Sequence, residues 1–176
     1  QAHLRAGLAL ALGIGLAMAA LGQVIAELMP LLTATPESGA HARIYLAIRI
    51  VGSPVVLIYV ALREYRYGLG DSRSPMVAAV AGNALNIALD YLLIIVLDWG
   101  VAGAATATVV GQVLEALLLI AAQRSEGFSL RGLTLGPVRA VLRIGLPTGV
   151  QFLLEIGSFA VMTAMLAALS DLEMAA

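Results

Sequence analysis

The segment GNALNIALDYLLIIVL, residues Gly82 to Leu97, sets Asn83, Asn86 and Asp90 inside an otherwise apolar run. Spaced by three and four, these three residues form one stripe about two turns long on a helix. The apolar run that contains this stripe, residues 75–97, reads as a membrane span, which needs ~20 residues to cross a ~30 Å core. An ionisable side chain near the middle of such a span costs about 2.5–3.5 kcal/mol on insertion scales, so the stripe is expected to face a bundle interior or a wet cavity.

The rest of the chain agrees with a membrane setting. Apolar residues make up 61% of the 176 and charged residues 12%, about half the charge of a soluble chain. All ten cationic side chains are arginines scattered along the sequence, with no basic run of the kind that binds nucleic acid. No cysteine is present, and His3 and His41 lie apart near helix ends, which argues against disulfides and soft-metal chemistry. The first residue is not Met and no signal-peptide pattern opens the chain, so the sequence reads as a fragment.

Long apolar windows predict an all-α, polytopic architecture with five spans: 4–32, 42–67, 75–97, 101–122 and 140–170. The breaks TATPESGA, GLGDSRS, DWG and QRSEGFSLRGLTLGP carry residues that stop helices. Arg63, Arg66 and Arg73 flank the second of these, and Arg124, Arg131, Arg139 and Arg143 lie in or beside the last, whereas DWG has none. The excess of positive charge places the loops at 68–74 and 123–139 on the cytoplasmic side, in a multi-pass inner-membrane protein. Arg5 falls on the same side. Arg43 and Arg49, near the outer end of the second span, are expected to snorkel or to pair with Glu27.

The fourth span carries a stripe that matches the third: Thr108, Gln112 and Glu115. The two spans are joined by a tight turn and run antiparallel. Counting inward from the turn pairs Asp90 with Thr108, Asn86 with Gln112 and Asn83 with Glu115, at depths from ~10 to ~20 Å. Asn83 and Gln112 suit interhelical hydrogen bonding. Asp90 suits a functional role, because a neutral residue would bond the helices without the expense of a carboxylate. Gly103, Ala107 and Gly111 form a second, small-residue stripe expected to receive another helix on the opposite face. Pro54 and Pro147 bend their helices, and Glu155 is a further deep acid.

An enzyme reading finds little support. GLGD at Gly68 to Asp71 invites comparison with intramembrane aspartyl proteases, but a carboxylate dyad shares its proton at ~3 Å. Asp71 and Asp90 bracket one helix and lie ~28 Å apart along it. Asp71 is better explained as a solvated acid or helix cap.

Several segments together resemble the multidrug and toxic compound extrusion (MATE) family. IYLAIRIVGSPVVLIYVALREYRYGLGDSRSP is similar to that family's fourth helix and following turn, GNALNIALDYLLI to its fifth, GVAGAATATVVGQVLEALLLI to its sixth and VLRIGLPTGVQFLLEIGSFAV to its seventh. The first span here would be the third. The resemblance implies a two-lobed, twelve-helix secondary transporter. Residues 1–123 would belong to the N-terminal six-helix lobe, 124–139 to a cytoplasmic inter-lobe loop and 140–176 to the first helix of the C-terminal lobe. It implies efflux of small organic, often cationic, compounds in exchange for H⁺ or Na⁺, with no other cofactor. The remainder of the transporter chain and the lipid bilayer would be its partners. It also implies that Asn86, Asp90 and Thr108 line the cavity and couple ion to substrate, with Na⁺ held at these three if sodium is the ion. Glu155 matches the coupling acid of another branch, and Asn83, Gln112 and Glu115 would line the cavity beside them. A lipid-linked oligosaccharide flippase of the same superfamily, whose cavity would be lined by cations, and a non-transporting membrane subunit are the alternatives.

Overall fold

The computed structural model describes residues 1–33, 35–124 and 135–174. Its described residues are helical, with no strand: α1 (Ala2–Leu32), α2 (Pro36–Val51), α3 (Ser53–Gly68), α4 (Arg73–Asp90), a π-helical turn (Tyr91–Val96), α5 (Gly100–Arg124) and α6 (Leu135–Met174). α1, α4 with its π turn, α5 and α6 are each long and apolar enough to span a membrane. α2 and α3 pass the same test as one span bent by 49°. Five spans result if that pair counts as one, as the hydropathy windows predict. The chain separates into two compact units, residues 1–133 and 134–176.

The second span begins earlier than its apolar run. TPES is a helix start, not a break: the Thr35 hydroxyl accepts from the Ser38 amide at 3.2 Å and Pro36 fills the first turn, where its missing N–H is no loss. Starting at Pro36 moves Arg49 thirteen residues, or ~20 Å, into the span, so it no longer lies near an end. The bend falls where Gly52 and Pro54 interrupt the helix.

Glycines let α1 accept the bent span. A Cβ at Gly15 would lie 2.5 Å from the Pro54 Cα, and one at Gly22 would run into the Ile50 side chain. Gln23 adds a hydrogen bond across this contact, donating to the Ala47 carbonyl at 2.8 Å. α5 packs against α2, α3 and α4. Leu4, Tyr59, Leu62, Ala78, Ala116 and Leu119, from α1, α3, α4 and α5, form the buried core toward the α3–α4 turn.

That turn is tightly tied. Arg66 is 4% exposed, pairs through Nε with Asp71 at 3.0 Å and donates to the Ser74 hydroxyl at 3.3 Å. Asp71 accepts from the amides of Arg73 and Ser74, each at 3.0 Å, and so caps α4. Hydrogen bonds from the Ser74 side chain and amide, with the Arg66 charge and the Arg73 amide, hold the Asp71 carboxyl below the usual carboxylate range. Gly70, at φ 78°, supplies the left-handed residue in the turn. The GLGD sequence is thus a structural turn.

In the second unit α6 runs from Leu135, so Arg139 and Arg143, expected in or beside a loop, are helical. Of the expected inter-lobe loop at 124–139, residues 125–134 lie outside the described residues.

Candidate functional site

The α4–α5 hairpin carries six of the seven polar positions singled out in the sequence. Its helices approach through glycine. A Cβ at Gly111 would lie 2.9 Å from the Gly82 carbonyl oxygen and 3.2 Å from the Asn86 Cβ, and one at Gly103 would lie 3.1 Å from Leu93. Gly103, Ala107 and Gly111 are all buried. The small-residue stripe therefore receives α4 itself, which corrects the expectation that it would receive a helix on the opposite face. Close packing of backbones holds this pair.

None of the stripe residues forms a described hydrogen bond between α4 and α5. Asn83, which is exposed, donates to the Ala79 carbonyl of its own helix at 2.8 Å. Thr108 likewise donates to Ala104 at 2.9 Å. Gln112 turns to the bent span, where its Oε1 accepts from Arg49 Nη1 at 2.8 Å. The bonding expected between α4 and α5 from Asn83 and Gln112 does not form: Asn83 bonds within its own helix, and Gln112 makes its interhelical bond to α2 instead. Glu115 lies against Gly82, with its side chain where a Cβ at Gly82 would be. Arg63 of α3 makes hydrogen bonds to Glu64, at 2.9 and 3.1 Å. The Arg63 guanidinium also sits 5.6 Å from the centroid of the Tyr59 ring.

Asn86 and Asp90 lie on the α4 side of the hairpin. Asn86 Nδ2 is enclosed without a hydrogen-bond partner among the described residues, an expensive state for an amide. Asp90 is half-buried, and α4 gives way to the π turn directly after it. There the Leu97 amide donates to the Leu92 carbonyl at 2.9 Å, the i to i+5 bond that widens a turn. Such turns recur at functional sites, and no local sequence signal marked this one. Glu155 is exposed on α6, in the second unit.

No described contact joins Asp90, Asn86 and Thr108, each of which carries oxygen atoms of the kind hard cations prefer. Among the described residues no three His, Cys, Asp or Glu side chains cluster as metal ligands. Asp90 offers carboxylate oxygens, Asn86 an amide oxygen and Thr108 a hydroxyl whose lone pairs stay open while its proton goes to Ala104.

Two residues with structural or functional weight escaped the sequence reading. Arg49 neither lies near the end of its span nor pairs with Glu27, because α2 begins at Pro36 and the guanidinium reaches Gln112. Arg43 does pair with Glu27, at 2.8 Å. Arg66, which the sequence marks only as a charge that orients the chain, is buried and ties the α3–α4 turn.

Fold and site together define a polytopic helical membrane protein with ionisable groups held within its spans. The MatE family model matches residues 1–92, and the chain belongs to that family. It is similar to Protein DETOXIFICATION 44, chloroplastic, of Arabidopsis thaliana, at 35% identity over 116 residues, covering 64% of this chain and 22% of the relative. It is 32% identical over 144 residues to the "Probable multidrug resistance protein NorM" of Thermotoga maritima, covering 77% of this chain and 31% of the relative. The multidrug export protein MepA of Staphylococcus aureus is 31% identical over 94 residues, covering 53% of this chain and 21% of the relative. The chain thus spans between a fifth and a third of the length of these relatives. No solved structure matches it.

Proposed function

We propose that this chain is part of a secondary transporter that expels organic, often cationic, compounds by antiport with H⁺ or Na⁺. The observation that carries the reading is Asp90: a carboxylate within a span, half-buried, one turn from Asn86 and at the start of a π turn. A carboxylate held there attracts a cationic compound strongly, because little water screens it. Uptake of a proton from outside, or of Na⁺ shared with the oxygens of Asn86 and Thr108, cancels that charge and favours outward release. Loss of the ion inward restores the charge and resets the site. Glu155 is proposed as a second coupling acid, and Asn83, Gln112 and Glu115 as further lining.

The relatives named for multidrug resistance and export support efflux over the flippase and structural-subunit readings. Arg49 is one mid-span cation, well short of the cationic lining a flippase would present to phosphates. The proposed orientation keeps the arginine-flanked loops at 68–74 and 123–139 on the cytoplasmic side. The test is growth of cells that express the complete gene, challenged with toxic organic cations in the presence and absence of a sodium gradient. Protection that depends on an ion gradient supports antiport; growth no better than that of cells without the gene rules it out.

A further inference from the structure

The break between α2 and α3 is packed on two sides. Pro54 has no N–H, so the Ile50 carbonyl lacks its helical donor; the Ser53 hydroxyl supplies one instead, donating at 2.6 Å. The Gly52 amide turns to the Arg49 carbonyl at 3.1 Å, and both Gly52 and Ser53 are buried. On the α1 side the break meets Gly15, where a Cβ would lie 2.5 Å from the Pro54 Cα. On the α5 side it meets Val109: a Cβ at Gly52 would lie 3.2 and 3.4 Å from the two Val109 methyls. With the freed carbonyl satisfied and close backbone contacts on two faces, the 49° bend is a fixed elbow and not a free hinge.

The elbow touches α5 beside the candidate ion site. At ~100° per residue, Thr108 lies on the flank of α5 between Val109 and the face formed by Gly103, Ala107 and Gly111. Across that face Gly111 packs on Gly82 and Asn86 of α4. The elbow and α4 therefore grip α5 at one level, from either side of Thr108. The Thr108 side chain has little freedom of its own. Its hydroxyl is tied to the Ala104 carbonyl of the same helix at 2.9 Å, and branching at Cβ restricts χ1. The direction of its remaining lone pairs follows the placement of α5 as a body. A rotation of ~10° moves an atom ~5 Å from the helix axis by ~0.9 Å. Ligand groups need to be held within about 0.5 Å, so a small turn of α5 is enough to spoil the site.

We propose that Gly52 and Val109 are positioning residues: through their contact the elbow fixes the rotation of α5 and so aims the Thr108 hydroxyl at the ion shared with Asp90 and Asn86. The inference rests on the ion-coupling reading and gives the bend of the second span a part in it.

The experiment uses the full-length protein in proteoliposomes, with tetraphenylphosphonium as the organic cation. Efflux is measured against the concentration of Na⁺ or H⁺ that drives it, and binding of the cation is measured separately without the driving ion. Gly52→Ala adds one methyl at φ −71° and ψ −12°, a conformation alanine adopts without strain. It should raise the ion concentration for half-maximal efflux about tenfold while moving cation binding less than about twofold. Val109→Ala opens the same contact and should shift the ion midpoint in the same direction; it carries the test if Gly52→Ala does not fold. In the double variant the new methyl takes space that valine leaves, so the midpoint should return to within about threefold of the wild type. A lower maximal rate at an unchanged midpoint, equal losses for ion and cation, or simple additivity of the two substitutions would overturn the positioning role. Efflux that is ion-driven in the wild type and loses that dependence in Asp90→Asn, with wild-type midpoints in both contact variants, would overturn the positioning alone. Wild-type efflux indifferent to both gradients would overturn the coupling reading, and this inference with it.

Discussion

Gly82 on α4 lies directly against Glu115 on α5, so that any side chain at position 82 would occupy the space of the Glu115 Cγ. Helix propensity alone favours alanine over glycine by roughly 0.5–1 kcal/mol. Here the contact should reverse that sign. Gly82→Val is expected to destabilise the purified protein by about 1–3 kcal/mol in thermal unfolding, the usual penalty for overpacking. Adding Glu115→Ala should recover much of the loss, and the double-mutant cycle measures the coupling. Strict additivity would mean that the two positions do not touch.

The turn between α3 and α4 depends on the ionised form of Asp71. Its carboxyl is held below the usual range in the folded state, so its contribution is complete above the unfolded value, about pH 4, and is lost as pH falls through the lower folded value. Asp71→Asn should therefore lower the melting temperature by a constant amount between pH 5 and 8. Below about pH 4 the gap between variant and wild type should close. Melting curves at a series of pH values check this, and a gap that widened on acidification would contradict it.

Thr35 caps α2 through its hydroxyl, accepting from the Ser38 amide at 3.2 Å. Thr35→Ala should cost about 1 kcal/mol, whereas Thr35→Asp should be nearly neutral because aspartate caps as well. Comparable losses in both variants would show that the second span does not start there.

These contacts also mark what could be read from the sequence. Span number, the antiparallel hairpin and the depth pairing follow from apolar run length and from Asn83, Asn86 and Asp90 recurring at helical spacing. The structure places Gly82 and Asn86 opposite Glu115 and Gly111, within one residue of the counted register. The choice of face was harder. Gly103, Ala107 and Gly111 announce a close approach but not which helix makes it, and Gln112 could turn to α4 or to α2 with equal local merit. The depth of Arg49 is not legible because Thr35 and Pro36 serve equally as turn and helix-start residues, and only the Ser38 amide decides between the two. The π turn after Asp90 has no compositional signature, since Tyr91 to Val96 would fit an α-helix as well.

The charge on Asp90 is the centre of the account, and ion-driven efflux by the full-length transporter tests it most directly. In proteoliposomes, with a pH or sodium gradient imposed in turn, the wild type should expel an organic cation in response to at least one gradient. Asp90→Asn should abolish that gradient dependence, while its melting temperature stays within a few degrees of the wild type. Gradient-driven efflux that persisted unchanged in a folded Asp90→Asn protein would show that the coupling ion is carried elsewhere.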